Sequence, residues 1–347
     1  MVTIKEIAKE CNVSVTTVSN ILNGKPKVSE ETRERVMKVI KRRGYRPNYV
    51  AQNLRRQKTH TIGIIAEDIN QFSTPGMIES IMARCEREGY HSIVWNLRLY
   101  ARWNEKWYDN ESAYRSALNP VLQELRSTKV DGVIYVAGHA HIIHCTSQDY
   151  EVPVVMAYAY PDLPAIPAVV IDEEQSGYDA MRYLIEKGHR RIGIIGGRSS
   201  NIHTQKRLVG VQRALYEANI PYNPAWVRYG DWFMNSGEVQ ADPLVMSGVT
   251  AIFCMSDRMA DGIYRYLDKR GMRAGVDLSV MGFDNQDLAE HLCPPLTTMK
   301  LPLAEIGDNA ARLLMDFLNE HQSFPPKKHI ELSIPCSLIE RCSVKAL

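Results

Sequence analysis

The sequence predicts an α/β protein: an N-terminal helix-turn-helix domain followed by two doubly wound lobes built on parallel sheets. Three observations predict this fold. Two short helical patterns separated by a tight turn open the chain, positive charge is concentrated in the first 58 residues, and apolar runs alternate with helical segments after His60. A chain of 347 residues exceeds one ordinary domain of roughly 100–200 residues, so several folded units are expected.

The charge distribution is asymmetric. The first 58 residues carry 14 Lys and Arg against 5 Asp and Glu, a net charge of +9, although the whole chain has a net charge of only +2. The remaining residues carry 28 Lys and Arg against 35 Asp and Glu, a net charge of −7. Because basic side chains gain affinity by releasing counterions from phosphates, the first segment is predicted to bind nucleic acid. A solvated charged face is the alternative.

Local capping signals define the first two helices. Thr3 and Glu6 have the spacing of a capping box, which predicts a helix start. Ser14 is the predicted N-cap of the second helix, with Val13 and Val18 as a hydrophobic staple that sets the entry angle. The turn between the two helices is therefore expected to be rigid.

The second helix is predicted to have one buried and one exposed face. Val18, Ile21 and Leu22 form the buried stripe. The opposite face carries Val15, Thr16, Ser19 and Asn20. Such short, lightly charged side chains match base donors, acceptors and thymine methyls in the major groove, and an asparagine can bind adenine. This favours a DNA-reading helix; a three-helix structural module is the alternative.

A third helix and a basic linker follow. The third helix is predicted to begin at Ser29, with acidic residues in its first turn and basic residues in its last, and to end at Gly44. Residues 46–56 form a segment with Pro47 near its start. Fewer than ~12 residues rarely hold a helix in water, so this segment is expected to fold only against a partner and DNA.

The rest of the chain alternates between apolar runs and helical segments. The predicted strands are Thr61–Ala66, Ser92–Trp95, Gly132–Ala137, Val152–Ala157, Val169–Ile171, Ile192–Ile195, Val227–Tyr229, Ala251–Met255 and Ser279–Gly282. Lys206–Ala218 and Arg258–Arg270 are predicted helices between them. Continuous apolar strands are typical of parallel sheets covered on both faces. Two such lobes form a closable cleft at the carboxyl ends of their strands, where Asp172, Trp232, Asp257 and Asp284 are expected.

Longer strings then resemble one known family. They include "TIKEIAKECNVSVTTVSNILNG", "GYRPNYVAQNLR", "RIGIIGG", "FCMSDRMADGIYRYL" and "VMGFDN". In this order they resemble the LacI/GalR (lactose/galactose/purine repressor) family of transcription regulators. The resemblance covers essentially the whole chain and implies a periplasmic-binding-protein-like body. It implies a helix-turn-helix domain at 1–46, a hinge helix at 47–59 and an effector-binding and dimerisation domain at 60–347. The first lobe is then about 60–168 and 298–325, and the second about 169–297 and 326–347.

The resemblance also implies functional residues. Those expected to bind DNA are Thr3, Ser14, Val15, Thr16, Thr17, Ser19, Asn20, Asn23, Tyr45, Asn48, Ala51, Leu54 and Arg55. Leu54 matches the leucine that the family drives between base steps of the minor groove, and a plain packing leucine is the alternative. Those expected to bind the effector are Phe72, Tyr158, Asp172, Asn201, His203, Arg207, Trp232, Asp257 and Asp284.

The chemistry of the effector set favours a sugar or sugar-like ligand. Arg207 and Asp284 can bracket hydroxyls, and Trp232 offers an aromatic face to a ring. A structural cap is the alternative for Asp284. The resemblance implies a repressor that binds a near-palindromic operator on double-stranded DNA as a homodimer. It implies no cofactor, no resident metal and no enzymatic activity.

Two segments depart from the family pattern, the residues near 97–118 and the string "NQFSTP" around Phe72. The chain is longer than usual near residues 97–118, and this insertion is expected either to line the cleft or to build a dimer face.

Two further segments have the composition of a ligand site. A metal site would suit the chemistry of His139, His141, His144 and Cys145, but an ordinary polar loop is favoured. Gly193–Ser200 could cradle phosphate but lacks a full glycine motif, so a tight turn between strand and helix is favoured.

Composition also bears on whether the protein is a membrane protein, an exported binding protein or an enzyme. Seven cysteines without a C-x-x-C pair predict reduced thiols and a cytoplasmic protein. No apolar run reaches ~18 residues, and the first residues lack a signal-peptide pattern, so neither a membrane protein nor an exported small-molecule binding protein is favoured. A sugar-processing α/β enzyme remains an alternative, although no local nucleophile and base signature supports it.

Overall fold

The computed structural model describes residues 2–22, 28–45, 58–108, 110–144 and 149–347. The chain divides into two compact units, Met1–Thr59 and His60–Leu347. Most of the predicted hinge, 47–57, lies outside the described residues. The same is true of five residues predicted to bind DNA: Asn23, Asn48, Ala51, Leu54 and Arg55.

The first unit contains the three predicted helices, Ile4–Glu10, Val15–Leu22 and Glu30–Arg43. The predicted capping box is confirmed: Glu6 donates its backbone N–H to the Thr3 hydroxyl, and the Glu6 carboxylate accepts the Thr3 N–H at 2.8 Å. The Ser14 hydroxyl accepts the Thr17 N–H at 2.9 Å at the start of the second helix. Short-range hydrogen bonds therefore set both helix starts.

A small apolar core holds these helices together. The buried members are Ile7, Ala8, Cys11, Val18, Ile21, Val36 and Ile40. They fall on one stripe of each helix, so the periodicity of the sequence determines which faces meet. Burial of each aliphatic side chain stabilises the unit by roughly 1.5–3 kcal/mol.

The second unit contains two six-stranded sheets, numbered here in chain order. The first sheet has the order β13-β7-β5-β3-β1-β2, and all its strands are parallel. These strands are Glu331–Ile334, Ala168–Ile171, Val154–Ala157, Gly132–Val136, Thr61–Ala66 and His91–Asn96 respectively. Nearly all their central side chains are buried, as expected for a sheet covered on both faces.

The second sheet has the order β14-β12-β11-β10-β8-β9. Its strands are Ser337–Ile339, Thr297–Lys300, Ser279–Asp284, Ala251–Cys254, Ile192–Gly196 and Val227–Tyr229 respectively. Only the pairing of β14 with β12 is antiparallel. A two-stranded pair, β4 (Ile142–Ile143) and β6 (Tyr160–Pro161), lies outside both sheets.

Helices connect these strands. The α-helices are Thr74–Arg87, Leu99–Trp103, Glu111–Thr128, Glu173–Glu186, Ile202–Glu217, Met234–Met246, Asp257–Asp268, Leu288–His291 and Leu303–Leu318, and the 3-10 turns are Asn104–Trp107 and Pro224–Trp226. In the part of the chain that the structure describes, none of the helices combines the length and apolarity needed to cross a bilayer.

The predicted α/β fold with two parallel-sheet lobes is confirmed, but the strand pairings correct the predicted lobe boundaries. Ala168–Ile171 and Glu331–Ile334 both belong to the first sheet, and Thr297–Lys300 belongs to the second. The chain therefore crosses between lobes after residues 171, 300 and 334. Local patterns cannot place these crossings, because a strand joins a sheet through partners distant in sequence.

Candidate effector site and DNA-recognition helix

Arg207 and Glu173 form a buried ion pair in the second lobe. Arg207 Nε donates to Glu173 Oε2 at 2.5 Å, and each side chain is about 2% exposed. They lie on two helices that approach closely at Gly177, where a Cβ would come within 2.3 Å of the Arg207 carbonyl oxygen. Burial opposes ionisation of Glu173, yet the charge of Arg207 and two hydrogen bonds outweigh it and lower the pKa of Glu173 to about 2.

The Arg207 guanidinium has two further contacts within the protein. It donates to the Met255 carbonyl oxygen at 2.9 Å. Its carbon lies 3.6 Å from the centre of the Phe283 ring, in a cation–π contact. Arg207 is therefore held rigidly beneath the carboxyl ends of β10 and β11.

His203 connects this ion pair to the first lobe. Its Nδ1 lies 2.5 Å from Glu173 Oε1, and its Nε2 accepts the Ala140 backbone N–H at 3.1 Å. Because a backbone N–H can only donate, Nε2 must be unprotonated, and the proton sits on Nδ1. The His203 ring lies 5.7 Å from Tyr158 and 6.2 Å from Trp232, measured between ring centres.

Three residues of the predicted set adopt positive φ angles at strand ends. The φ angles are +63° for Tyr158, +74° for Trp232 and +112° for Asp284. Residues other than glycine seldom adopt such a backbone, aromatic residues least of all, and strained residues concentrate at functional sites. Gly197 makes the Trp232 position possible, since a Cβ there would lie 2.0 Å from the indole ring.

Asp257, which is buried, and Asp284, which is half-buried, form an acidic pair beside Arg207. Asp257 accepts hydrogen bonds from the Thr298 hydroxyl at 2.6 Å and the Gln286 backbone N–H at 2.7 Å. The Asp284 carboxylate accepts from the Gln286 side chain at 3.1 Å. Burial raises the pKa of Asp284 well above its ordinary value, and the charge of Asp257 raises it further. Both effects oppose ionisation of Asp284.

The other predicted effector residues occupy different positions. Asp172 accepts the Gln175 N–H at 2.9 Å and caps the helix Glu173–Glu186. Asn201 accepts the His203 N–H at 2.9 Å and caps the helix Ile202–Glu217, so this helix begins before the predicted Lys206. Phe72 is 41% exposed, before the helix Thr74–Arg87. The structure thus brings together Tyr158, His203, Arg207, Trp232, Asp257 and Asp284.

Two buried glutamates were missed by the sequence analysis. Glu173 joins His203 to Arg207, although it adjoins the predicted Asp172. Glu67 follows β1 and accepts the Tyr135 hydroxyl at 3.0 Å and the Gly138 N–H at 2.9 Å. The sequence signal for both is a carboxylate within two residues of the end of a buried strand, but the partners of these carboxylates lie far away in the sequence.

The insertion packs against the loop that follows β3. The Tyr108 hydroxyl lies 2.8 Å from His139 Nδ1 and 2.5 Å from the Tyr100 hydroxyl. Trp107 packs against Tyr108 with 4.0 Å between ring centres and an angle of 32° between the ring planes. His139 in turn lies 6.1 Å from His203. The insertion therefore packs on the same loop whose Ala140 N–H binds His203, and its role in lining the cleft or building a dimer face stays a prediction.

The histidines of the possible metal site have separate partners. His139 pairs with Tyr108, His141 Nε2 lies 3.1 Å from the Glu67 carboxylate, and His144 pairs with Asp162 at 2.9 Å. Cys145 lies outside the described residues. Among the residues that are described, no group of three or more His, Cys, Asp and Glu side chains is arranged to hold a metal ion.

The predicted DNA-recognition helix, Val15–Leu22, has a buried and an exposed face, although Leu22, predicted to be buried, is half-buried. Val18 and Ile21 are buried, whereas Val15 and Thr16 are exposed and Thr17, Ser19 and Asn20 are half-buried. The hydroxyls of Ser14 and Thr17 lie 2.8 Å apart. Tyr45, also predicted to bind DNA, is half-buried against the three-helix core.

Comparison with known proteins finds a matching family model in each of the two units. Residues 3–48 match the model described as bacterial regulatory proteins, lacI family, and residues 181–344 match the periplasmic binding protein-like domain. The chain is 33% identical over 323 residues to catabolite control protein A of Priestia megaterium, covering 92% of this chain and 93% of that protein. The chain belongs to the lacI family. This LacI-family regulator is also 31% identical over 340 residues to the HTH-type transcriptional repressor PurR of Vibrio vulnificus, covering 96% and 98%.

Solved structures resemble this LacI-family regulator over its full length. A lac repressor dimer bound to operator and the anti-inducer ONPF has a TM-score of 0.76 at 25% identity, with 99% of each chain covered. A complex of the transcriptional regulator CelR with cellobiose has a TM-score of 0.64 at 27% identity, covering 99% of this chain and 100% of that chain. The chain is a repressor-type transcription regulator with a DNA-binding domain and an effector-binding domain.

Proposed function

We propose that this LacI-family regulator binds a near-palindromic operator as a homodimer, and that a sugar or sugar derivative controls its affinity for DNA. Two recognition helices occupy successive major-groove half-sites, with the hinge segments between them. The lac repressor structure, described as a dimer on operator, supports this arrangement. Acting on chromosomal DNA, the protein works in the cytoplasm and not as an exported binding protein or an enzyme.

The observation that carries the DNA-binding proposal is the exposed face of the helix Val15–Leu22. Val18 is completely buried and Ile21 nearly so, whereas Val15 on the opposite face of the helix is 40% exposed. An exposed apolar side chain beside hydroxyl and amide groups suits thymine methyls and base edges. Thr3, Ser14 and Tyr45 hold the helices in place, and we assign them contacts to the sugar-phosphate backbone.

A binding selection tests this proposal. Duplexes selected from a random pool by the full chain should share a two-fold symmetric sequence, and affinity should fall as salt rises. Asn20→Ala should weaken binding to the selected duplex by ~1–3 kcal/mol. The control is Asn235→Ala, which changes an exposed residue of the second unit. No preference for any duplex over random competitor, at any ionic strength, would contradict the proposal.

The effector half of the proposal rests on the residues gathered around Arg207. Trp232 presents an aromatic ring, and Arg207 and Asp284 provide polar groups at the carboxyl ends of the second sheet. Ligand binding closes the cleft and shifts the equilibrium between two lobe arrangements with different operator affinity. Coupling of this kind is typically ~1–3 kcal/mol.

A thermal-shift screen of sugars and nucleobases tests this half. A ligand that raises the melting temperature of the wild type should fail to do so for Asp284→Ala. Asp284→Asn should retain more of the shift than Asp284→Ala, because the amide has nearly the same size and keeps a hydrogen-bonding oxygen. Asp287→Ala, at a nearby exposed residue, is the control. An equal shift in wild type and Asp284→Ala would place the ligand elsewhere.

A further inference from the structure

We propose that the ion pair between His141 and Glu67 positions the loop 138–141 for the contact between the two lobes, and that this contact weakens when His141 loses its proton. His141 and Glu67 are then positioning residues, and the bond between the lobes depends on pH. Three features of the molecule support this role: the contacts that hold the loop, the placement of the protons in them, and the aromatic cover from the insertion.

One carboxylate holds both ends of the loop 138–141. Glu67 Oε2 accepts the Gly138 N–H at 2.9 Å, and Glu67 Oε1 lies 3.1 Å from His141 Nε2. Ala140 lies between these two anchor points, and its N–H donates to His203 Nε2 of the second lobe at 3.1 Å. The position of the Ala140 N–H, and with it the bond between the lobes, therefore depends on Glu67.

The His141 ring has an acceptor beside each nitrogen. Its Nδ1 lies 2.9 Å from the His139 carbonyl oxygen, which can only accept, so Nδ1 carries a proton. Its Nε2 faces the Glu67 carboxylate, which also can only accept when it is ionised. A neutral imidazole has a single N–H, so both contacts are satisfied together when the ring is the imidazolium ion.

The two neighbouring histidines have different partners. His203 Nε2 accepts the Ala140 N–H and so carries no proton. Burial and the neighbouring histidines lower the pKa of His139 well below its ordinary value, and its Nδ1 pairs with the Tyr108 hydroxyl at 2.8 Å. Of the three rings, His141 is therefore the one whose proton holds the loop.

The sign of the pH dependence follows from the His141 environment. Burial opposes the charged ring, but the Glu67 carboxylate and the His139 carbonyl outweigh burial and raise the pKa of His141 above its ordinary value of 6.5. The contribution of the ion pair is therefore fully present below pH 6.5 and is lost as pH rises through the folded value. Deprotonation leaves the carboxylate of Glu67, which is 1% exposed, without its cation, and an unpaired buried charge is costly.

The insertion covers the His141 ring. Trp107 and Tyr108 lie 5.2 Å and 5.3 Å from it, measured between ring centres. Trp107 is itself only 3% exposed. On the opposite side, the His141 carbonyl oxygen accepts the Tyr160 N–H at 3.0 Å. The ion pair is therefore shielded from water, which strengthens the interaction between its charges.

Other ionisable side chains line the small pocket beside His141, namely Glu111, Tyr114 and His144. The charge of Glu111 is compensated by Arg115 at 2.7 Å. His144 pairs with Asp162 at 2.9 Å. Among the described residues that line or adjoin this pocket, Glu67 is therefore the carboxylate that decides the charge of His141.

Hydrogen–deuterium exchange of the full chain tests the proposal without a ligand. Mass spectrometry of peptides that span residues 137–142 gives a protection factor, which divides out the intrinsic increase of exchange with pH. We expect the protection of this loop in the wild type to fall at least about tenfold between pH 6 and pH 9, the equivalent of ~1.4 kcal/mol. The buried strand Ala251–Cys254 is the internal reference and should stay constant. Unchanged protection of the loop over this interval would overturn the proposal.

Two substitutions assign the effect to the ion pair. His141→Gln keeps a donor near Glu67 but does not titrate, so its loop protection should be independent of pH. Glu67→Gln removes the charge that retains the proton, so the midpoint of the loss should move to lower pH. The matched control is His144→Gln, which changes an exposed histidine that also pairs with a carboxylate and should follow the wild type.

Circular dichroism checks that these variants fold. A folded His141→Gln protein that keeps the pH dependence of the wild type would contradict the proposal. If neither His141→Gln nor Glu67→Gln folds, the profile of the wild type, compared with that of His144→Gln, decides.

The consequence for regulation rests on the proposed function, because His203 reaches Arg207 through Glu173. In a thermal-shift assay with cellobiose, D-glucose and D-ribose, a sugar that binds should give a smaller shift at pH 9 than at pH 6. The two shifts should be equal in His141→Gln. A pH-dependent shift that persists in His141→Gln would separate the ion pair from ligand binding. If none of these sugars binds, the proposed sugar effector fails, whereas the exchange profile still decides the role of His141.

Discussion

His203 Nε2 accepts the backbone N–H of Ala140 at 3.1 Å, and this hydrogen bond joins the two lobes. Ala140 follows β3 of the first sheet, whereas His203 lies in the first turn of the helix after β8 of the second. The other nitrogen of the same ring contacts Glu173, which holds Arg207. A single imidazole therefore links the contact between the lobes to the proposed effector site.

Removing this imidazole should destabilise the second unit. In His203→Ala the N–H of Ala140, a residue only 1% exposed, loses its acceptor, which costs about 1–3 kcal/mol. Urea unfolding of the full chain measures the loss. His144→Ala, at an exposed histidine, should change the free energy of unfolding by less than about 0.5 kcal/mol. Equal losses in the two variants would show that the bond between the lobes contributes little.

The Glu173 carboxylate predicts how stability depends on pH. Its folded pKa of about 2 lies below the ordinary value of 4.5, so ionised Glu173 stabilises the fold above pH 4.5. This contribution, on the order of 3 kcal/mol, is lost as pH falls from 4.5 toward 2. The difference in unfolding free energy between wild type and Glu173→Gln should shrink over this interval. A constant difference from pH 7 to pH 3 would contradict the assignment.

Gly197 should control the position of Trp232. A Cβ at Gly197 would lie 2.0 Å from the indole, so Gly197→Ala must displace Trp232 or the strand end, at a cost of roughly 1–3 kcal/mol. We expect a lower melting temperature and at least about tenfold weaker binding of whichever sugar the screen identifies, ~1.4 kcal/mol. Gly76→Ala is the control, since its nearest neighbour would be 3.7 Å away. Unchanged ligand affinity in Gly197→Ala would remove Trp232 from the site.

Leu54 is predicted from the sequence alone, because it lies outside the described residues. Leu54→Ala or Leu54→Ser should weaken operator binding at fixed salt, since an apolar wedge between base steps is lost. Leu54→Met keeps an apolar side chain of similar size and should retain most of the affinity. If all three variants bind as the wild type does, Leu54 is a packing residue.

The local features of this chain could be predicted because each depends on residues a few positions apart. Thr3 and Glu6 form their capping box within one helical turn, and the apolar run Thr61–Ala66 becomes a buried strand. The predicted C-terminal lobe boundary was wrong, since Glu331–Ile334 joins the first sheet. The residues of Glu331–Ile334 alternate between exposed and half-buried, a pattern found in many short segments of a chain. This segment is identified as a strand of the first sheet only by its pairing with Ala168–Ile171.

By itself, the sequence determined the three helices of the first unit, most strands of the two sheets, and several polar residues that follow those strands. The tertiary structure alone decided that Glu173 holds both His203 and Arg207, and that Tyr108 of the insertion contacts His139. Periodicity and capping act through bonds between near neighbours in the chain. The partners of a buried charge are set by how distant segments pack, and no local pattern carries that information.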